Sequence, residues 1–141
     1  MPTDGDGVVT LKGFKGKKVI LYFYPKDDTP GCTKESCAFR DLLPDFSSIN
    51  AEIIGVSKDS VSSHNKFKAK HDLPFILASD ETGKVCDAYG VWKEKNMYGR
   101  KYMGIERSTF LIDEAGKLRA EWHKVKVTGH VNEVLEAAKV L

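Results

Sequence analysis

The run Val19-Ile20-Leu21-Tyr22-Phe23-Tyr24 constrains this 141-residue chain more than any other feature. Consecutive β-branched and aromatic residues with no polar interruption suit a strand covered on both faces, and so a sheet with layers on either side. Pro25 ends the run. A polar turn follows, and Thr29-Pro30-Gly31-Cys32 then has the grammar of a helix start. Thr29 suits the N-cap, and Pro30 suits the first helical position because its missing N–H would go unpaired there anyway. Cys32 then falls in the first turn, where free backbone amides and the positive end of the helix dipole favour an anion. A thiol so placed is expected to ionise more readily than a free cysteine, and the thiolate is the attacking form. The Thr29 hydroxyl, one turn earlier, can donate to the sulfur or to a substrate oxygen, while Pro25 stiffens the loop and shields one side. The ordinary alternative is a buried thiol acting as a small hydrophobe. Cys32 stands among polar turn residues and before Thr33, Lys34 and Glu35, which fits a core role poorly.

The rest of the chain alternates strand and helix signals. Pro44 kinks or ends the first helix, and Glu52–Ser57 is the next buried strand. Asp59 or Ser60 caps a helix in which His64, Phe67 and His71 share one face. Pro74–Leu77 reads as a short strand and Glu81–Tyr89 as a helix closed by Gly90. Residues 91–106 read as a long aromatic and basic loop, of a length that is usually functional or mobile. Ser108–Ile112, the Asp113–Gly116 turn and Leu118–His123 form an antiparallel hairpin. A last helix carries Val131, Val134, Leu135, Ala138 and Leu141 as its core stripe. At the start, Asp4-Gly5-Asp6-Gly7 suggests a turn rather than a calcium loop, and Val8, Val9 and Leu11 suggest a short strand. This pattern predicts one α/β domain over residues 1–141, a mixed sheet flanked by helices.

Composition narrows the function. Hydrophobic residues make up 41% and charged residues 30%, with a formal net charge of only +2. The basic residues are dispersed, so no nucleic-acid footprint stands out; Lys12, Lys15, Lys17 and Lys18 read as a solvated turn. No apolar run approaches the ~20 residues of a membrane span, and no signal-peptide pattern opens the chain. Three cysteines suit a reducing compartment rather than a secreted disulfide scaffold, which points to the cytoplasm.

The motif Pro25-x-x-x-Thr29-x-x-Cys32 resembles the active-site signature of the peroxiredoxins. The stretch YFYPKDDTPGCTKESCAFRD is similar to their bacterioferritin-comigratory, or Q-type, branch, as are SDETGKVCDAYGVW, the stretch from Lys93 to Gly104, and GIERSTFLIDEAGKL. The resemblance runs from about Leu11 to the C-terminus. It implies a thioredoxin-like fold and reduction of hydrogen peroxide and small organic hydroperoxides through a sulfenic acid on Cys32. It implies Cys37 as the resolving thiol, Arg107 as the active-site arginine and thioredoxin as the reductant. It calls for no cofactor or metal, and a monomer is expected, with a dimer as the other state. Members of the family usually carry a further apolar segment upstream of the point where Met1 falls, which leaves a sheet edge open to question. Cys86, beside Val85 and Ala88, reads as a packing thiol.

Other classes fit less well. A dithiol oxidoreductase usually shows Cys-x-x-Cys at the helix start, whereas here four residues separate Cys32 from Cys37. His64, His71, His123 and His130 lack paired zinc-site spacing with the cysteines. A non-catalytic redox sensor or binding domain predicts no peroxide consumption. If Cys32 and Cys37 share a helix, about 7.5 Å of rise and about 140° of rotation put their Cα atoms roughly 8 to 9 Å apart. That exceeds the ~7 Å limit for a disulfide, so a bond between them requires the helix start to unwind.

Overall fold

The structure is a computed structural model that describes residues 1–141, with the side chain of Asp6 left out. In chain order it comprises β1 (Lys18–Phe23), α1 (Pro30–Asp41), α2 (Leu43–Ser48), β2 (Ala51–Ser57), α3 (Val61–His71), β3 (Ile76–Ser79), α4 (Lys84–Ala88), β4 (Trp92–Met97), β5 (Arg100–Ile105), β6 (Ser108–Ile112), β7 (Leu118–Trp122) and α5 (His130–Lys139). All six residues of β1 are buried because it is the middle strand of a sheet ordered β3-β2-β1-β6-β7. β1 runs parallel to β2 and β2 to β3, whereas β6 and β7 are antiparallel additions.

The strand period of two divides β1 between two cores. Ile20, Tyr22 and Tyr24 join Phe39 of α1, Phe46 of α2, Phe67 of α3 and the Val131, Val134, Leu135 and Ala138 stripe of α5. Val19, Leu21 and Phe23 face the other way, toward Cys86, Val91, Ile105 and Phe110. The first core sets the position of α1. Tyr22 lies opposite Gly55 of β2, where a Cβ would fall 2.7 Å from its ring, so only glycine admits it. The ring stacks on Phe39 at 4.6 Å, and its hydroxyl shares a 2.8 Å hydrogen bond with Ser36. Burying one such aromatic side chain contributes about 1.5 to 3 kcal/mol. Pro44 acts as expected: α1 stops at Asp41, and the proline falls in the first turn of α2. Ser60 caps α3, its side chain accepting from the Ser63 amide.

Several expectations need correction. Residues 91–106 are not a loop: β4 and β5 pair in an antiparallel hairpin whose turn, Tyr98-Gly99, has positive φ at both residues. The helix expected over 81–89 is confined to Lys84–Ala88, because Gly83 ahead of it is left-handed. Leu141 lies beyond α5 and is exposed, so the core stripe ends at Ala138. Lys18 is not in a solvated turn; it is 7% exposed and donates to the Ala138 carbonyl at 3.2 Å, a cation at a helix C-terminus. Val8–Leu11 forms no strand. Instead residues 1–9 fold back on themselves and lie along the outer edge of β3, with Thr3 bridging Ala78 and the Ser79 amide bonded to the Pro2 carbonyl. The edge of β3 is therefore covered. Behind it, Met1, Val9, Leu11, Leu21, Ile54 and Tyr89 line much of an apolar cavity of about 330 Å³.

Candidate active site

β1 delivers the chain to Tyr24, and α1 begins six residues later. Thr29 holds the N-cap position with φ −90° and ψ 155°, and Pro30 opens the helix, as the sequence predicts. The hydroxyl behaves differently from expectation. It donates to the Lys26 carbonyl at 2.9 Å instead of accepting from the first-turn amides or meeting the sulfur. No side chain caps the helix start, so its amides keep their positive end for an anion. Pro25 is exposed at the head of the loop.

Cys32 is 1% exposed and belongs to the first core, contrary to the expectation that its polar sequence neighbours keep it out of one. Helical geometry explains this: Cys32, Glu35, Ser36 and Phe39 recur at i, i+3, i+4 and i+7 and form the buried face of α1. The sulfur nevertheless has a polar partner. Arg107, in the short link between β5 and β6, donates from Nη2 to Cys32 Sγ at 3.3 Å and from Nη1 to Glu35 Oε1 at 2.8 Å. One guanidinium thus bridges two groups a helical turn apart. Gly31 makes room for it, since a Cβ there would lie 3.0 Å from Nη2.

Glu35 was not singled out in the sequence, although the helical period places it on the Cys32–Phe39 stripe. It is fully buried, and burial raises its carboxyl to about 7 even though the Arg107 charge and hydrogen bond pull the other way. Its second oxygen, Oε2, has no partner. Lys95 of β4 was also missed; its ammonium is lowered by burial and by Arg107, and it feels the Cys32 charge. Lys93, Glu94, Lys95, Glu106, Arg107 and Lys124 line much of an open cleft of about 450 Å³.

The three cysteines are free. Cys37 lies on α1 and is half-buried, so no disulfide joins it to Cys32 in this state. Cys86 is fully buried in the second core, where burial and the Asp80 carboxylate push its thiol up to about 12. The histidines do not gather around the cysteines: His64 pairs with Asp27, His71 with Asp28, His123 with Glu121, and His130 with Thr109. No helix among the described residues is long and apolar enough to cross a membrane.

A model of the AhpC/TSA family matches residues 1–121. Peroxiredoxin Bcp of Bacillus subtilis is 55% identical over 136 residues, covering 96% of this chain and 87% of its own. Peroxiredoxin Bcp of Escherichia coli is 40% identical over 137 residues, covering 96% and 88%. Among solved structures, the bacterioferritin comigratory protein of Xanthomonas campestris, studied for alkyl peroxide reduction, superposes with a TM-score of 0.93 at 48% identity, covering 99% of this chain and 90% of that one. BcpB of Mycobacterium tuberculosis superposes with a TM-score of 0.88 at 31% identity, covering 100% and 91%. Relatives that agree with it over nearly the full length of both chains, in sequence and in backbone, leave one assignment: the chain belongs to the peroxiredoxins, on the bacterioferritin-comigratory, Q-type branch of the AhpC/TSA family.

Proposed function

We propose that this thiol peroxidase reduces hydrogen peroxide and organic hydroperoxides at Cys32. The observation that carries the reading is the 3.3 Å contact between Cys32 Sγ and the Arg107 guanidinium at the uncapped start of a twelve-residue helix. A fixed positive charge beside the sulfur costs no reorganisation when negative charge moves onto oxygen. The thiolate attacks one peroxide oxygen and the O–O bond breaks. The leaving oxygen takes a proton and departs as water or alcohol, and Cys32 is left as a sulfenic acid. Arg107 and the first-turn amides stabilise the developing oxyanion. Thr29, its proton engaged at Lys26, offers its lone pairs to the O–H of the hydroperoxide, and Pro25 walls the loop. Glu35 holds the guanidinium from its other side.

Cys37 resolves the sulfenic acid in this reading: its sulfur displaces water and forms the Cys32–Cys37 disulfide. Both residues lie on α1, so the start of that helix unwinds over roughly residues 30–40 for the bond to form. Thioredoxin then returns both thiols, in a monomer working in a reducing cytoplasm. The test is peroxide consumption with and without a thioredoxin system. Turnover that requires the complete system and is lost in Cys37→Ser, while that variant still reduces one equivalent of peroxide, supports the scheme. Full turnover in Cys37→Ser refutes Cys37 as the resolving thiol. Dithiol oxidoreductase chemistry fits less well, because Cys37 is two helical residues too far along α1 for a Cys-x-x-Cys pair.

A further inference from the structure

The Pro25–Thr29 loop ahead of α1 is exposed at Pro25, Lys26 and Asp28; its one buried residue is Asp27. Three donors converge on that carboxylate. Tyr24 gives its hydroxyl to Oδ1 at 2.6 Å, and Ser63 gives its hydroxyl to Oδ2 at 2.8 Å. The imidazole of His64 meets Oδ2 through Nδ1 at 2.7 Å. The amide of Asp27 is bonded in turn to Asp59 Oδ2 at 2.9 Å. His64 is fully buried, and its other nitrogen, Nε2, lies 2.9 Å from the Ala78 carbonyl of β3. A neutral imidazole has a single N–H, so one of its nitrogens would confront an acceptor with a bare lone pair. Only the imidazolium donates to both. Burial works against that charge, but the Asp27 carboxylate, by hydrogen bond and by charge, leaves the ring raised from its ordinary value. The next residue repeats the attachment at the far end of α3: Asp28, at φ 57°, reaches Lys70 at 2.7 Å and His71 at 2.9 Å.

We propose that Asp27 and His64 are positioning residues for the peroxide step: their buried ion pair fixes the Pro25–Thr29 loop, and with it the start of α1, onto α3 and β3. The inference rests on Cys32 as the peroxide-reacting thiol. Neither residue touches the sulfur. Each acts through the loop that carries Thr29, so losing the tie lets the helix start move relative to Arg107, which is carried by the link into β6, across β1 from β2 and β3. A displacement of about 1 Å in such a site can cost on the order of a hundredfold in rate. The ionisable groups facing His64 are Tyr24 just past β1, Asp27 from the loop and Asp59 from the turn before α3. The Tyr24 phenol is raised well above its ordinary value and stays protonated throughout the working range.

The experiment is stopped-flow oxidation of Cys32 by hydrogen peroxide from pH 5 to 9 in wild type, His64→Leu and His64→Asn, with thermal melting alongside. His64→Leu should melt earlier and, while still folded, react at least ~10-fold more slowly. His64→Asn keeps a donor for Asp27 but not the charge, and should recover part of the rate. The wild-type rate should decline on the alkaline side as the imidazolium loses its proton. Both variants should lack that difference, since the Glu35 titration is common to all three. A folded His64→Leu with the wild-type rate at every pH overturns the proposal and leaves the pair a stabilising role only. Should His64→Leu not fold, His64→Asn carries the same comparison, and a neutral His64 ring in the nitrogen NMR spectrum of wild type at pH 7 overturns it independently. Wild type inert to peroxide refutes the peroxidase reading instead, and the alkylation rate of Cys32 in the same variants then judges the pair.

Discussion

Cys32 and Cys86 form a natural controlled pair. Each is the third residue of a helix, each is almost wholly buried at 1% and 0% exposure, and they lie on opposite faces of the same sheet. What differs is the sign of the charge they meet. Cys32 has the Arg107 guanidinium at 3.3 Å. At Cys86 the orphan amide is taken by Asp80 Oδ2 at 2.8 Å, and burial, together with that carboxylate, pushes the thiol up to about 12. In the proposed reading, neither depth nor a helix start by itself makes a nucleophile; the guanidinium beside Cys32 is the partner that Cys86 lacks.

The largest separation of the pair should come from deleting each sulfur in turn. Cys32→Ser should lose peroxide consumption entirely with its fold retained, whereas Cys86→Ser should keep turnover close to wild type. Arg107→Met removes the charge that distinguishes the two sites. Its oxidation by peroxide in stopped flow should slow about 10²- to 10³-fold, the scale of losing an aligned oxyanion donor, and a rate near wild type would show that the guanidinium is a bystander. Gly31→Ala is a finer probe. Its methyl displaces only the end of a side chain, so melting should shift by less than about 1 kcal/mol in stability while the peroxide step slows roughly tenfold.

The smallest effect is in stability against pH, and there the two sites should again part. The Glu35 carboxyl is raised from 4.5 to about 7 in the folded chain, so its contribution is fully present below pH 4.5 and is lost as the pH rises through 7. Cys86 is raised from 9 to about 12, so its loss falls in the alkaline range between those values. Denaturant titrations should show the first decline vanish in Glu35→Gln and the second in Cys86→Ala. A Glu35→Gln curve that superposes on wild type between pH 4.5 and 7 would mean that the carboxyl is ionised throughout, paired with Arg107.

Much of this arrangement was legible in the chain. The unbroken Val19–Tyr24 run placed the central strand, and Thr29-Pro30 placed the helix start that carries Cys32, because both signals are local. The β4–β5 hairpin was not legible: Lys93 to Asn96 is polar at every position, so no alternating apolar face marks the first strand, and Tyr98-Gly99 replaces the usual Asn-Gly turn. Arg107 was named only through the family resemblance, and its sharing between Cys32 and Glu35 was hidden for a different reason. Arg107 is 72 residues from Glu35 and 75 from Cys32, and only the sheet order, which sets β6 beside β1, brings them together. The burial of Glu35 could have been read from its place on the Cys32–Phe39 stripe, but a lone glutamate in a helix more often faces water.

The most direct test of the claim that neighbouring charge selects the thiol is to oxidise Cys37→Ser, which retains both buried sulfurs, with one equivalent of hydrogen peroxide at pH 7 in the presence of a sulfenic-acid trap such as dimedone. Peptide mass mapping then reads both sites in one sample. The account predicts the adduct on Cys32 with Cys86 unmodified; adducts divided comparably between the two would contradict it.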